Sequence, residues 1–224
     1  MKKHTGVLLF FILIVSTYGF CQSEQTIKLR VACVGNSITE GFGLDNPATE
    51  AYPAILGNLL GDQFEVKNFG LSCRTVLSKG DYPWIQEPQF SELKAFAPEY
   101  IVIKLGTNDS KDYNWKYKDE FQKDLETMID TFMGFYPLSP CIIICTPVPV
   151  LSDDNKWGLR DKIIRKEIIP IIKRVAIEKN LVVIDLHTKI NKSLYLPDNV
   201  HLNPEGSKYL AKKIYDEFFS LIPH

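Results

Sequence analysis

Five short apolar runs recur along the chain, at positions 29–34, 64–69, 100–105, 141–146 and 181–186. Each reads as near-continuous rather than alternating, the pattern of a strand covered on both faces. Between them the apolar spacing lengthens to the helical period. Tyr52–Leu60 fits a helix closed by Gly61, and 87–97 fits another ended by Pro98. The stretch 117–135 places Phe121, Leu125, Met128, Ile129 and Phe132 on one stripe. In 160–178 the stripe is Ile164, Ile168, Ile171, Ile172 and Val175, with a kink expected at Pro170. A last helix begins at Asn203-Pro204, a cap followed by proline at the first helical position. Leu210, Ile214 and Phe218 line its buried face. Alternating strand and helix predicts an α/β fold: a parallel sheet of about five strands with helices on both faces.

In such sheets chemistry collects beyond the carboxyl ends of the strands. The polar residues just past each run are therefore the ones to examine. They are Asn36 and Ser37, then Gly70 and Ser72, then Gly106, Thr107, Asn108 and Asp109, then His187 and Thr188. Pro147 and Pro149 follow the fourth run.

The first residues follow a different pattern. M-K-K-H precedes a short apolar run and then S-T-Y-G-F-C-Q, the layout of a secretory leader. Gly19 and Cys21 fit the −3 and −1 positions, so residues 1–21 are read as a signal peptide and 22–224 as one domain. The run is shorter than the roughly 20 residues a bilayer span requires. The rival reading is a lipid anchor on Cys21, disfavoured by the bulky Phe20 before it. Either way the protein is expected outside the cytoplasm, periplasmic or extracellular.

Composition narrows the partners. The 224 residues are 45% hydrophobic and 24% charged, enough for one well-buried domain. Net charge is −1, without a basic block, which argues against nucleic acid. Past the leader four cysteines remain. Cys33, Cys141 and Cys145 lie in apolar runs and read as small buried hydrophobes. Cys73 lies in a polar loop. Their spacing is not that of a zinc site, and no metal or cofactor is expected.

A serine hydroxyl needs a base, and the base needs an orienting group. His4 leaves with the leader and His224 ends the chain, so the choice lies between His187 and His201. His201 stands three residues after Asp198 in a turn-rich segment, a spacing that can fold a carboxylate onto the imidazole. His187 has only Asp185 nearby. His201 is the preferred base and His187 a loop-packing residue. For an oxyanion, the Ser37 and Gly70 backbone amides and the Asn108 side chain are candidate donors.

Each piece alone also fits a cap or a turn. Their joint order carries the weight. G-N-S-I-T at 35–39, Gly70 within N-F-G-L-S, G-T-N-D at 106–109 and D-N-V-H at 198–201 resemble the blocks of the SGNH hydrolases, also called GDSL esterases. That resemblance implies a flavodoxin-like three-layer α/β/α fold and metal-independent hydrolysis of carboxylic esters. Ser37 would be the nucleophile, His201 the base and Asp198 its orienting acid, with Ser37, Gly70 and Asn108 forming the oxyanion hole. The chain departs from the family pattern in two places. Asn36 replaces the usual aspartate before the serine, and Cys73 replaces a small residue in the second block. G-T-N-D-S-K-D-Y-N-W and P-V-P-V-L-S-D-D-N-K-W-G further resemble secreted enzymes that deacetylate carbohydrates. An acylated carbohydrate is thus the expected partner, with Trp84, Trp115 and Trp157 as candidate sugar-stacking faces. A lipid-directed esterase, thioesterase or lysophospholipase is the alternative, and so is a carbohydrate-binding protein without turnover.

Overall fold

The computed structural model describes residues 28–220 other than 136, 138 and 189. The expected leader and Cys21 lie outside the described residues. Five strands, β1 (Leu29–Gly35), β2 (Phe64–Gly70), β3 (Tyr100–Lys104), β4 (Cys141–Cys145) and β5 (Val182–Ile184), form one sheet. The order is β2-β1-β3-β4-β5 and every pairing is parallel. That is the flavodoxin-like order, with its switch point between β1 and β3.

Residues alternate strictly across the central strands. Val31 and Cys33 face one core, with Tyr52, Leu56, Leu210, Ile214 and Phe218. Ala32 and Val34 face the other, with Phe121, Leu125, Phe132, Ile168 and Ile172. The first core is covered by α2 (Tyr52–Leu60) and by the C-terminal helix Pro204–Phe219. The second is covered by α3 (Pro88–Phe96), α4 (Phe121–Met133) and α5 (Ile169–Glu178). The helix Pro204–Phe219, called α6 below, starts as its sequence requires, with Asn203 Oδ1 accepting from the Gly206 amide at 2.9 Å.

Three expectations change. β2 and β5 are the sheet edges, and Glu65, Lys67 and Asn68 of β2 are exposed, so β2 is not buried on both faces. Cys141 is also exposed, because it is the first residue of β4 and stands at the amino end of the sheet. Cys33, Cys73, Cys141 and Cys145 form no disulfide among the described residues. At Pro170 the helix ladder slips rather than only bending. Ile164–Ile168 form a π-turn between the short helix Asp161–Ile163 and α5. Proline lacks an N–H and its ring crowds the carbonyl four residues back, here within the π segment.

The register sets the site. Gly35 pairs with both Gly70 and Lys104, so β1, β2 and β3 end level with one another. Their following loops therefore open onto the same carboxyl edge.

Candidate active site

Ser37 opens a one-turn helix, α1 (Ser37–Glu40), immediately beyond β1. Asn36 is extended and caps that turn, its Oδ1 accepting from the Ile38 amide at 3.2 Å. Gly41, at φ 94, ends it. An uncharged amide thus performs the bracing role at position 36.

His201 Nε2 lies 2.9 Å from Ser37 Oγ, and its Nδ1 lies 2.7 Å from Asp198 Oδ2. The other Asp198 oxygen accepts the Val200 and His201 backbone amides, each at 2.9 Å. Asn199, in the left-handed region at φ 62, closes this compact turn. A carboxylate at Nδ1 selects the tautomer protonated there, leaving Nε2 to accept from the serine hydroxyl. Burial pushes the His201 pKa below its ordinary value; Asp198 opposes this, while Lys104 and Lys156 push it further down. Burial would raise the Asp198 carboxyl, but the hydrogen bonds from the His201 amide and ring and the Val200 amide outweigh it and hold the pKa low.

His187 stands elsewhere. Its Nε2 is 3.2 Å from Asp161 Oδ1, while Asp185 Oδ1 caps the His187 and Thr188 amides. It is a loop-fastening residue.

The oxyanion set requires a correction. The Gly70 amide donates to Asn68 Oδ1 at 2.8 Å, and Asn68 Nδ2 donates to the Thr39 carbonyl at 2.8 Å. A Cβ on Gly70 would collide with the Glu40 backbone. This glycine therefore lets β2 and α1 pack closely, and its N–H is already engaged. Cys73, three residues on, lines the cavity in front of Ser37 and has φ 70. Asn108 also lines it, and one of its amide hydrogens goes to the Arg74 carbonyl at 3.1 Å. Asp109 is fully buried and accepts the Val76 and Leu77 amides at 2.9 and 2.8 Å, which braces the loop after Cys73. Burial pushes its carboxyl up to about 7.

The cavity measures about 40 Å³. Ser37, Cys73, Asn108, Trp157, Val200 and His201 are among the residues that line it. Lys104, the last residue of β3, is fully buried and its Nζ has no hydrogen-bond partner among the described residues. Burial lowers its pKa to about 8.

A profile of the GDSL-like lipase/acylhydrolase family matches residues 33–209, a span that contains every residue of this site. The chain belongs to that family. Among curated family relatives, an acetylxylan esterase of Xylanibacter ruminicola is 43% identical over 204 residues, covering 83% of this chain and 42% of its own length. A multidomain esterase of Ruminococcus flavefaciens is 27% identical over 123 residues, covering 54% of this chain and 15% of its own. The chain thus spans less than half the length of these relatives. A carbohydrate acetylesterase from Sinorhizobium meliloti superposes with TM-score 0.71 at 21% identity, over 87% of this chain and all of its own. An aryl esterase from M. smegmatis gives 0.70 at 20% identity with the same coverage. At that identity the likeness establishes the α/β/α fold alone.

The three tryptophans fare differently. Trp84 is fully buried, donates its indole N–H to the Phe69 carbonyl at 3.0 Å, and meets Phe132 edge-on. Trp115 is buried against Phe121 and donates to Glu167 at 3.0 Å. Both pack the fold and present no face to a sugar. Trp157 remains at the cavity, its ring 5.0 Å from that of His201. The aromatic that motif reasoning missed is Phe42. It is half exposed, and its ring centroid lies 4.5 Å from the His201 ring. It follows the helix-ending Gly41 and belongs to no periodic pattern, so only its place directly after the serine turn marks it.

Proposed function

We propose that this chain is an exported serine esterase that removes short acyl groups, acetyl foremost, from a carbohydrate. The observation that carries the reading is the continuous contact from Asp198 through His201 to Ser37, at 2.7 and 2.9 Å, opening onto a cavity of acetyl size. Family membership and the likeness to an acetylxylan esterase support it. The leader-like start, K-K followed by an apolar run, supports export, with cleavage before Gln22 and residues 22–224 forming one catalytic domain.

In the first step His201 Nε2 takes the Ser37 proton as Oγ attacks the ester carbonyl carbon. The carbonyl oxygen becomes an oxyanion, held by the Ser37 and Cys73 backbone amides and the Asn108 side chain. The intermediate collapses, the carbon–oxygen bond to the sugar breaks, and His201 returns its proton to the departing sugar oxygen. Water, deprotonated by His201, then attacks the acyl-enzyme and releases acetate and free Ser37. Asp198 keeps the ring oriented and stabilises the imidazolium in each half-reaction.

Ser37→Ala is expected to keep the fold and lose hydrolysis of p-nitrophenyl acetate by about 10⁴-fold or more. Full turnover in that variant would end the assignment. His201→Ala should be as inactive, whereas His187→Ala should retain activity. The reverse pattern would make His187 the base. Acetate release from acetylated xylan, compared with acetylated pectin and sialic acid, identifies the carbohydrate.

A further inference from the structure

A cavity of about 40 Å³ holds the acyl group and little else, so the alcohol part of the ester must lie on the surface around its mouth. Two exposed tyrosines are tied by short chains of contacts to residues of its lining, and nothing in the acyl chemistry uses them. Tyr82 and Tyr113 are 50% and 54% exposed.

Both rings are held from the cavity outward. Cys73 lines the cavity and Arg74 follows it in the chain. The Arg74 guanidinium is fixed by Glu87 at 2.9 Å and by the Ser72 carbonyl at 2.7 Å. It lies 5.2 Å from the Tyr82 ring centroid, while the Tyr82 carbonyl accepts from Thr75 at 3.0 Å. Tyr113 donates its hydroxyl to Asp81 Oδ2 at 2.9 Å, and Lys111 Nζ lies 5.6 Å from its ring. Asp81 is in turn fixed by Lys111 at 3.1 Å and by Asn114 at 2.9 Å. Asn114 also binds the carbonyl of Asn108, a cavity residue, at 2.9 Å. Asp81 thus accepts from both the Tyr82 amide and the Tyr113 hydroxyl, and Arg74 and Asn114 tie the pair to the loops that carry Cys73 and Asn108.

We infer that Tyr82 and Tyr113, with Asp81 and Arg74 beside them, form a binding platform for the pyranose rings of a polysaccharide backbone. The inference rests on the carbohydrate reading above. A pyranose ring has an apolar C–H face and a hydroxyl edge. Held aromatic plates meet the first, and the remaining N–H groups of the Arg74 guanidinium meet the second, while Asp81, its oxygens already engaged, fixes the plates. Rings already immobilised lose little freedom when a sugar settles on them.

The test separates binding from turnover. In affinity electrophoresis through soluble, deacetylated xylan or hydroxyethylcellulose, the full chain should be retarded by at least one of the two. Tyr82→Ala/Tyr113→Ala should lose about tenfold in apparent affinity, and Tyr82→Phe/Tyr113→Phe should lose clearly less, because the rings remain although the Tyr113 bond to Asp81 is gone. In parallel, the double Ala variant's kcat/KM on acetylated xylan, divided by its kcat/KM on p-nitrophenyl acetate, should fall by a similar factor. Equal retardation of wild type and the double Ala variant, or no retardation of either, overturns the platform. So does equal loss in the Phe and Ala variants. Retardation that depends on the rings in a protein that frees no acetate supports the platform and instead overturns the substrate assignment.

Discussion

In the proposed reaction His201 must be neutral to accept the serine proton, so its proton affinity would set the acid side of the activity profile. Burial lowers that affinity, Asp198 raises it, and the cations Lys104 and Lys156 lower it further. The net direction is down, so the acid limb of kcat/KM should have its midpoint below the ordinary histidine value of about 6.5. Burial brings Lys104 down only to about 8, so it is a cation over the more acidic range in which this limb falls. A cation near the ring disfavours imidazolium, so Lys104→Met should move the acid limb to higher pH. A limb that stays in place would show that Lys104 does not act on His201. The D-x-x-H spacing made the contact of Asp198 with His201 legible, while the approach of Ser37 to them rested on the joint order of the motifs. The donor now proposed at Cys73 was not legible. G-L-S-C offers two amides three residues apart, and only the left-handed backbone of Cys73 and the capture of the Gly70 amide by Asn68 distinguish them.

The contact between β2 and α1 gives that distinction a test at the scale of elements. Gly70 has no room for a Cβ against Glu40, whereas Cys73 carries a side chain in a conformation that favours glycine. Gly70→Ala should therefore push α1 away from the end of β2 and destabilise the protein by about 2 kcal/mol or more, read from urea unfolding. Cys73→Gly should keep the backbone amide, relieve strain worth about 1 kcal/mol and retain hydrolysis of p-nitrophenyl acetate. If Cys73→Gly is stable but inactive, the thiol itself takes part and the amide assignment fails. Most elements were readable because helix and strand periods differ clearly, as in the stripe of α4. Two were not read correctly. F-E-V-K-N-F alternates, and that alternation marks the open face of the edge strand β2. The π-turn before Pro170 depends on how Ile164 and Ile168 seat in the core, which the stripe alone does not specify.

At the scale of the molecule, the level ends of β1, β2 and β3 bring three loops to one edge, and α6 is preceded by the turn that carries His201 to Ser37 across 164 positions of sequence. The cavity between those loops limits which acyl group can reach Ser37 in the proposed reaction. One water-sized group occupies roughly 10–15 Å³ of such space, so about 40 Å³ has room for about three, the size of an acetyl group. Its walls do not yield cheaply. Val200 and Leu159 are buried, and Cys73 is held by the braced loop that Asp109 anchors. Forcing extra methylenes into a packed wall costs about 1–3 kcal/mol, and each 1.4 kcal/mol is a factor of about ten. Across p-nitrophenyl acetate, butyrate, hexanoate and octanoate, kcat/KM should therefore fall by about tenfold or more between acetate and hexanoate. A lipid-directed esterase would gain over the same series, because each buried methylene contributes about 0.8 kcal/mol where a groove exists to receive it. A profile that rises toward octanoate would therefore exclude the acetyl assignment, even with Ser37, His201 and Asp198 in their present roles.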